Sequence, residues 1–210
     1  ILSAGGGGTL TSVAIFQDSN PWGFESNQMI LVANGISYVI YNSIDIGYVD
    51  LSIYDKVIIA SDRPQSFYDA VDANIAWFED YVYKGGVLQI NAADAGWAGG
   101  YWNTIPCGII SAQSYGNTVD IAMPEHVILT TPNSISDSEL DGWSYSYHRI
   151  FTGYPKTSEI ILTEGYSGLA YPVLISASWG SGYVIVSGQT LEYAYGNGYS
   201  SLLENIILYM

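Results

Sequence analysis

The chain of 210 residues carries 20 acidic against 5 basic side chains, a formal net charge of −15, with 49% hydrophobic and 12% charged residues. That charge repels a phosphate backbone or an anionic membrane, so no nucleic-acid binding is expected, and the hydrophobic content excludes intrinsic disorder. No apolar run approaches the ~20 residues that span a bilayer, so no membrane insertion is expected, and the length suits one buried core.

The chain opens at Ile1 with neither an initiator Met nor a charged and apolar leader. That start reads as a processed precursor or a trimmed chain. Residues 1–12 form a Gly-rich N-terminal tail in this reading, and residues 13–210 one domain. The glycines from Gly5 to Gly8 carry high ordering entropy. The apolar ends Ile1, Leu2 and Leu10 are therefore expected to anchor the tail, in a groove of its own domain or on a neighbouring copy.

Val13 to Phe16 is a short apolar run followed by the turn formers Asp18, Ser19, Asn20 and Pro21, which predicts a buried strand. A helix over about Phe24 to Ala33, closed by Asn34-Gly35, leads into a second strand at Ser37 to Tyr41. Val57 to Ala60 is a third strand. After it, Ser66 and Asp69 have the spacing of a helix-starting cap. Phe67, Val71, Ile75, Phe78 and Val82 share one face of the helix that follows, and Lys84-Gly85 ends it ahead of a strand at Val87 to Ile90. This β-α-β-β-α-β order predicts a parallel sheet with helices on both faces, because parallel strands need right-handed crossovers. Further on, Ile160 to Thr163 reads as a strand, and Val173 to Ser178 with Tyr183 to Ser187 as a hairpin around Gly180-Ser181-Gly182. A last helix, from about Ser201 to Tyr209, has a Ser201/Glu204 capping pair and an apolar face of Leu202, Leu203, Ile206 and Met210.

Several segments, in this order, resemble the class I glutamine amidotransferase-like superfamily, especially its ThuA-like and surface-protein branches. They are Gly85-Gly86-Val87-Leu88-Gln89-Ile90, His126-Val127-Ile128-Leu129, Tyr147-His148-Arg149-Ile150-Phe151, Trp179-Gly180-Ser181-Gly182-Tyr183-Val184 and Leu203-Glu204-Asn205-Ile206. The likeness implies an α/β fold, a flavodoxin-like three-layer sandwich with a mostly parallel sheet, helices on both faces and a C-terminal β-hairpin. In catalytic members the strand after the Gly-Gly pair ends in a sharp turn with a nucleophilic cysteine, later paired with a histidine and an acid. Here that turn reads Asn91-Ala92-Ala93-Asp94, and the single cysteine, Cys107, lies well beyond it. The covalent mechanism lacks its first member, so amidotransferase activity is not expected.

In open α/β sheets, ligands bind outside the carboxyl ends of the strands. Asp18, Asp62, Asn91, Asp94, Gln189 and Glu192 fall just after strands, and the resemblance puts His148 near the same rim. Converging carboxylates with His148 would bind a hard cation such as Ca²⁺ or do acid–base chemistry on a sugar. Asp and Asn are also favoured in turns and helix caps, so both readings stay open. Trp22, Trp97, Trp102 and Trp143 fall in loops. There they would stack on sugar faces, pack against a partner subunit or be buried by their own loops. No zinc spacing, P-loop or dinucleotide motif occurs, and no organic cofactor is expected. The expected function is a noncatalytic extracellular or cell-surface domain that self-associates, as a subunit of a filament or surface array. The alternative is a carbohydrate-binding or carbohydrate-acting ThuA-like protein that uses the acidic, Trp-rimmed site.

Overall fold

The computed structural model describes residues 10–210. The expected anchors Ile1 and Leu2 lie outside them, whereas Leu10 is buried against the core. In chain order the first half is β1 (Ser12–Phe16), α1 (Ser26–Ala33), β2 (Ser37–Tyr41), β3 (Lys56–Ile59), α2 (Gln65–Ala73), α3 (Ile75–Tyr83) and β4 (Val87–Asn91). The second half is β5 (Ile110–Gly116), β6 (Val119–Ile121), α4 (Val127–Thr130), β7 (Tyr147–Gly153), β8 (Glu159–Glu164), β9 (Pro172–Trp179), β10 (Gly182–Ser187), α5 (Leu191–Gly196) and α6 (Leu202–Leu208).

Side-chain alternation sets the layers. Val13 and Ile15 of β1 join one apolar cluster and Ala14 and Phe16 the other, because successive side chains leave opposite faces of a strand. Along β3, β4 and β10 the same division sends Ile58, Val87 and Ile185 to the first face, and Val57, Leu88 and Val184 to the second. A sheet apolar on both faces needs a cover on each. Ile30, Ile128, Leu191 and Ile206, from α1, α4, α5 and α6, belong to the first cluster, while Phe67, Val71, Phe78 and Val82 of α2 and α3 belong to the second. The result is a three-layer α/β sandwich.

The main sheet runs β2-β1-β3-β4-β10-β9-β8-β6. Its first five strands are parallel neighbours, and β9, β8 and β6 extend it in antiparallel fashion. The β9-β10 hairpin turns at Gly180, whose φ is +63° and where a Cβ would sit 2.5 Å from the Tyr83 carbonyl oxygen, so the close approach requires glycine. β5 and β7 form a separate antiparallel ribbon. Among the described residues no helix is long and apolar enough to cross a membrane.

Three local expectations need correction. The single helix over Phe67 to Val82 is two helices broken at Asn74, whose carbonyl accepts the Trp77 and Phe78 N–H groups while its side-chain amide donates to the Ala70 carbonyl. Ile75, at the break, is only half-buried. The Ser66/Asp69 cap is not formed: α2 follows Pro64, and Asp69 accepts from Gln65 and Asn103. Nor does the Ser201 side chain cap α6, and Glu204 instead accepts from Asn34 and Asn133.

Lys56 has a role that no motif announced. Its ammonium is fully buried and donates to the carbonyls of Ile206, Ile207 and Tyr209 at 2.7, 2.8 and 2.7 Å. Three donors meet carbonyls that the end of a helix leaves without partners. Burial pulls its pKa down to about 7.

Candidate functional site

Beyond the carboxyl end of β4 the chain turns through Ala92, Ala93 and Asp94, all fully buried. Asp94 is the centre of this turn. Its carboxylate accepts Arg149 Nε at 2.8 Å, Arg149 Nη2 and the Trp102 N–H at 2.7 Å. Its carbonyl lies 2.5 Å from His148 Nδ1, which must therefore carry the proton and leave Nε2 as an acceptor. Burial keeps His148 below its usual pKa, so the ring is neutral at pH 7. Nε2 has no hydrogen-bond partner among the described residues, and the ring lines an open hollow.

A second buried network lies beside the first. Glu192, fully buried, accepts the Ser61 N–H at 3.1 Å, the Ser61 hydroxyl at 2.8 Å and the Asn91 amide at 2.7 Å. Ser61 Oγ in turn accepts Trp22 Nε1 at 2.8 Å. Arg63 Nε donates to the Ser61 carbonyl, and burial lowers the pKa of this guanidinium. Asp62 holds the Trp22 N–H at 3.2 Å and the Ala98 N–H at 2.8 Å, tying two loops to the end of β3.

These networks floor a hollow of about 610 Å³ walled by Trp22, Trp97, Tyr115, Tyr145 and Tyr193 with His148. The Trp22 ring stands edge-on to Trp97 at 5.9 Å and to His148 at 5.4 Å, and Tyr115 lies 4.9 Å from His148. Trp97 is 70% exposed. Gly96 passes beneath Trp22 so closely that a Cβ would lie 2.2 Å from the indole. Trp22, Ala95 and Tyr145, all lining the hollow, and Asp62 beside it have left-handed φ angles of +53°, +54°, +56° and +54°. Strained backbone of this kind costs ~1–3 kcal/mol per residue and concentrates where ligands are held.

Of the expected rim, only His148 faces the hollow. Asp62, Asn91, Asp94 and Glu192 converge below it but are taken up by hydrogen bonds to the protein. Gln189 is buried and donates to the Leu140 carbonyl. Asp18 is exposed and accepts the Ser43 N–H at 2.7 Å, which is turn duty. Trp22 and Trp97 line the hollow and Trp143 an adjoining one, whereas Trp102 is buried against Tyr68 at 4.8 Å in the second core cluster. Sequence reasoning missed Arg149 as the partner of Asp94, and missed Tyr115, Tyr145 and Tyr193, which carry no mark among nineteen tyrosines. Cys107 is buried, its thiol is pushed up to about 12 by burial and then by Glu79, and it does not line the hollow. Among the described residues no group of three or more His, Cys, Asp or Glu side chains is arranged to hold a metal ion.

No known family model matches the chain. An uncharacterized protein of Clostridium acetobutylicum is 30% identical over 203 residues, covering 94% of this chain and 20% of its own length, so the chain spans about a fifth of that curated relative. A cytoplasmic protein of Salmonella typhimurium superposes with a TM-score of 0.62 at 14% identity, over 94% of this chain and 98% of that one. A GMP synthase-like protein of Thermoplasma acidophilum gives 0.60 at 11% identity, over 94% and 92%. The cold-adapted β-galactosidase of Rahnella sp. R3 gives 0.53 at 16% identity, over 95% of this chain and 32% of the enzyme. The chain thus has a glutamine amidotransferase-like fold.

Proposed function

We propose that this domain is a noncatalytic binding module, at the cell surface or outside the cell, whose aromatic hollow takes a neutral carbohydrate. The observation that carries the reading is the wall itself. Trp97 keeps 70% of its surface exposed beside Trp22, Tyr193 and His148, whose Nε2 has no partner among the described residues. Flat apolar faces next to isolated acceptors suit a sugar, which has C–H faces and hydroxyl edges. The noncatalytic part is supported by the elbow, where Ala92 and Ala93 offer no nucleophile, and by the engagement of the carboxylates in the floor. The test is titration calorimetry with neutral mono- and oligosaccharides against the intact domain and Trp97→Ala. Binding that Trp97→Ala weakens supports the reading, and heat-silent titrations throughout reject it.

A second reading, self-association through a sheet edge, is favoured by β2. Among the described residues it is an edge strand, with Val39 43% and Ile40 42% exposed and no charged residue along Ser37–Tyr41, the kind of edge that pairs with another strand unless blocked. Two copies related by a two-fold axis would pair β2 with β2. Light scattering should then find a dimer that Val39→Lys dissociates, and a monomer at every concentration would exclude it.

A further inference from the structure

We infer that the site takes an extended glycan of two or more sugar units rather than a single sugar. The inference rests on the carbohydrate reading and specifies its ligand. The hollow does not end at Tyr193: it shares Ser144 and Tyr193 with a second hollow of about 440 Å³, lined further by Asn117, Asp141, Trp143 and Tyr199. A ridge of exposed rings runs past both: Trp97, 70% exposed, beside the first hollow, Tyr193, half-buried, where the two meet, and Tyr199, 43% exposed, beside the second. The centroids are 6.3 Å apart from Trp97 to Tyr193 and 6.3 Å from Tyr193 to Tyr199. Trp22 and Trp143 are buried behind this ridge, Trp143 stacked on Tyr199 at 6.1 Å. The exposed rings at its two ends, one beside each hollow, offer stacking faces to different sugar units of one chain. A pocket built for one sugar would have no use for the outer half.

The ridge is also held in place. Trp143 Nε1 donates to Thr190 Oγ1 at 2.8 Å, Trp22 is tied to Ser61, and Asn117 Oδ1 accepts the Tyr145 N–H at 2.6 Å. Stacking faces fixed before binding lose little side-chain entropy when a ligand arrives. The polar groups beside the ridge, His148 Nε2, the Ser144 hydroxyl and the Asp141 carboxylate, are spread over both hollows rather than gathered at one point. That spacing fits hydroxyls repeated along a chain. The rim includes a carboxylate and the protein is strongly acidic, which directs the choice to a neutral glycan over an anionic one.

The experiment titrates the intact domain with glucose, galactose and mannose and with their β-1,4-linked dimers and tetramers, following heat and tryptophan fluorescence. For at least one sugar type, the tetramer is expected to bind about tenfold or more tighter than its monomer, as added stacking contacts imply. In Tyr199→Ala, with Tyr199 43% exposed and the fold checked by circular dichroism, the ratio of tetramer to monomer affinity should fall to about one, and Tyr199→Phe should restore it. Equal affinity for monomer and tetramer, with Tyr199→Ala silent, overturns the extended ligand but leaves the carbohydrate site standing. If no sugar binds while a proline-rich peptide does, both readings fall.

Discussion

Asp94→Asn tests whether the buried charge pair is an essential part of the site's floor. The side chain is fully buried and that of Arg149 only 8% exposed, and the two share a bidentate contact. Asparagine preserves shape and retains an oxygen for the Trp102 N–H, but it removes the charge and turns an amide donor toward Arg149 Nε. Leaving a buried guanidinium without its counter-charge costs about 3–5 kcal/mol, a large part of the ~5–15 kcal/mol that holds a domain together. Asp94→Asn combined with Arg149→Met should recover most of that loss, because no unpaired charge then stays buried and the asparagine oxygen still accepts the Trp102 N–H. Urea unfolding followed by tryptophan fluorescence gives the three free energies, and an unchanged slope confirms a two-state comparison. A single-variant loss under ~1 kcal/mol, or a double variant no more stable than Asp94→Asn alone, would refute the reasoning.

Phe78→Ala should cost about 3–5 kcal/mol by the same assay, since the ring is fully buried edge-on to Phe16 at 5.7 Å. For Lys56, with a folded pKa of about 7 against an ordinary 10.5, the unfolded chain binds more protons between those values. Stability should therefore rise with pH across that window, and Lys56→Met should remove the rise. Cys107 should resist a thiol reagent at pH 8 in the folded protein and react fully in urea, as expected of a buried thiol with its pKa raised to about 12. Ala92→Cys should release no ammonia from glutamine, because position 92 is fully buried and a thiol there does not line the hollow.

The parallel half of the sheet was legible because its strands are continuous apolar runs separated by turn formers, as at Val13 to Phe16 and Val87 to Ile90. The break at Asn74 was not. The apolar face continues across it, Phe67 and Val71 before and Phe78 and Val82 after, so periodicity alone cannot see the interruption. β5 and β6 have mixed burial with no clean alternation, and α4 spans a single turn, too short to register a period. For the site, strand ends pointed to Asp62, Asp94 and Glu192, but their use was set at a distance. Arg149 lies 55 positions from Asp94, and Ser61 lies 131 from Glu192. Such pairings leave no local mark, and they decide whether a carboxylate meets a ligand or the protein.

The floor and the walls of the hollow answer to different constraints. Asp94 with Arg149, and Glu192 with Ser61, are locked together beneath it, so a change in one member disturbs its partner and the strand ends they hold. Trp97 and Tyr145, exposed by 70% and 61%, stand on loops above that lattice and carry little of it. Substitutions there are cheap in stability and direct in their effect on what fits. A lineage could therefore exchange one ligand for another by trading rim aromatics while inheriting the lattice unchanged, and copies of this domain that differ in specificity should diverge first at the positions of Trp97, Tyr115, Tyr145 and Tyr199.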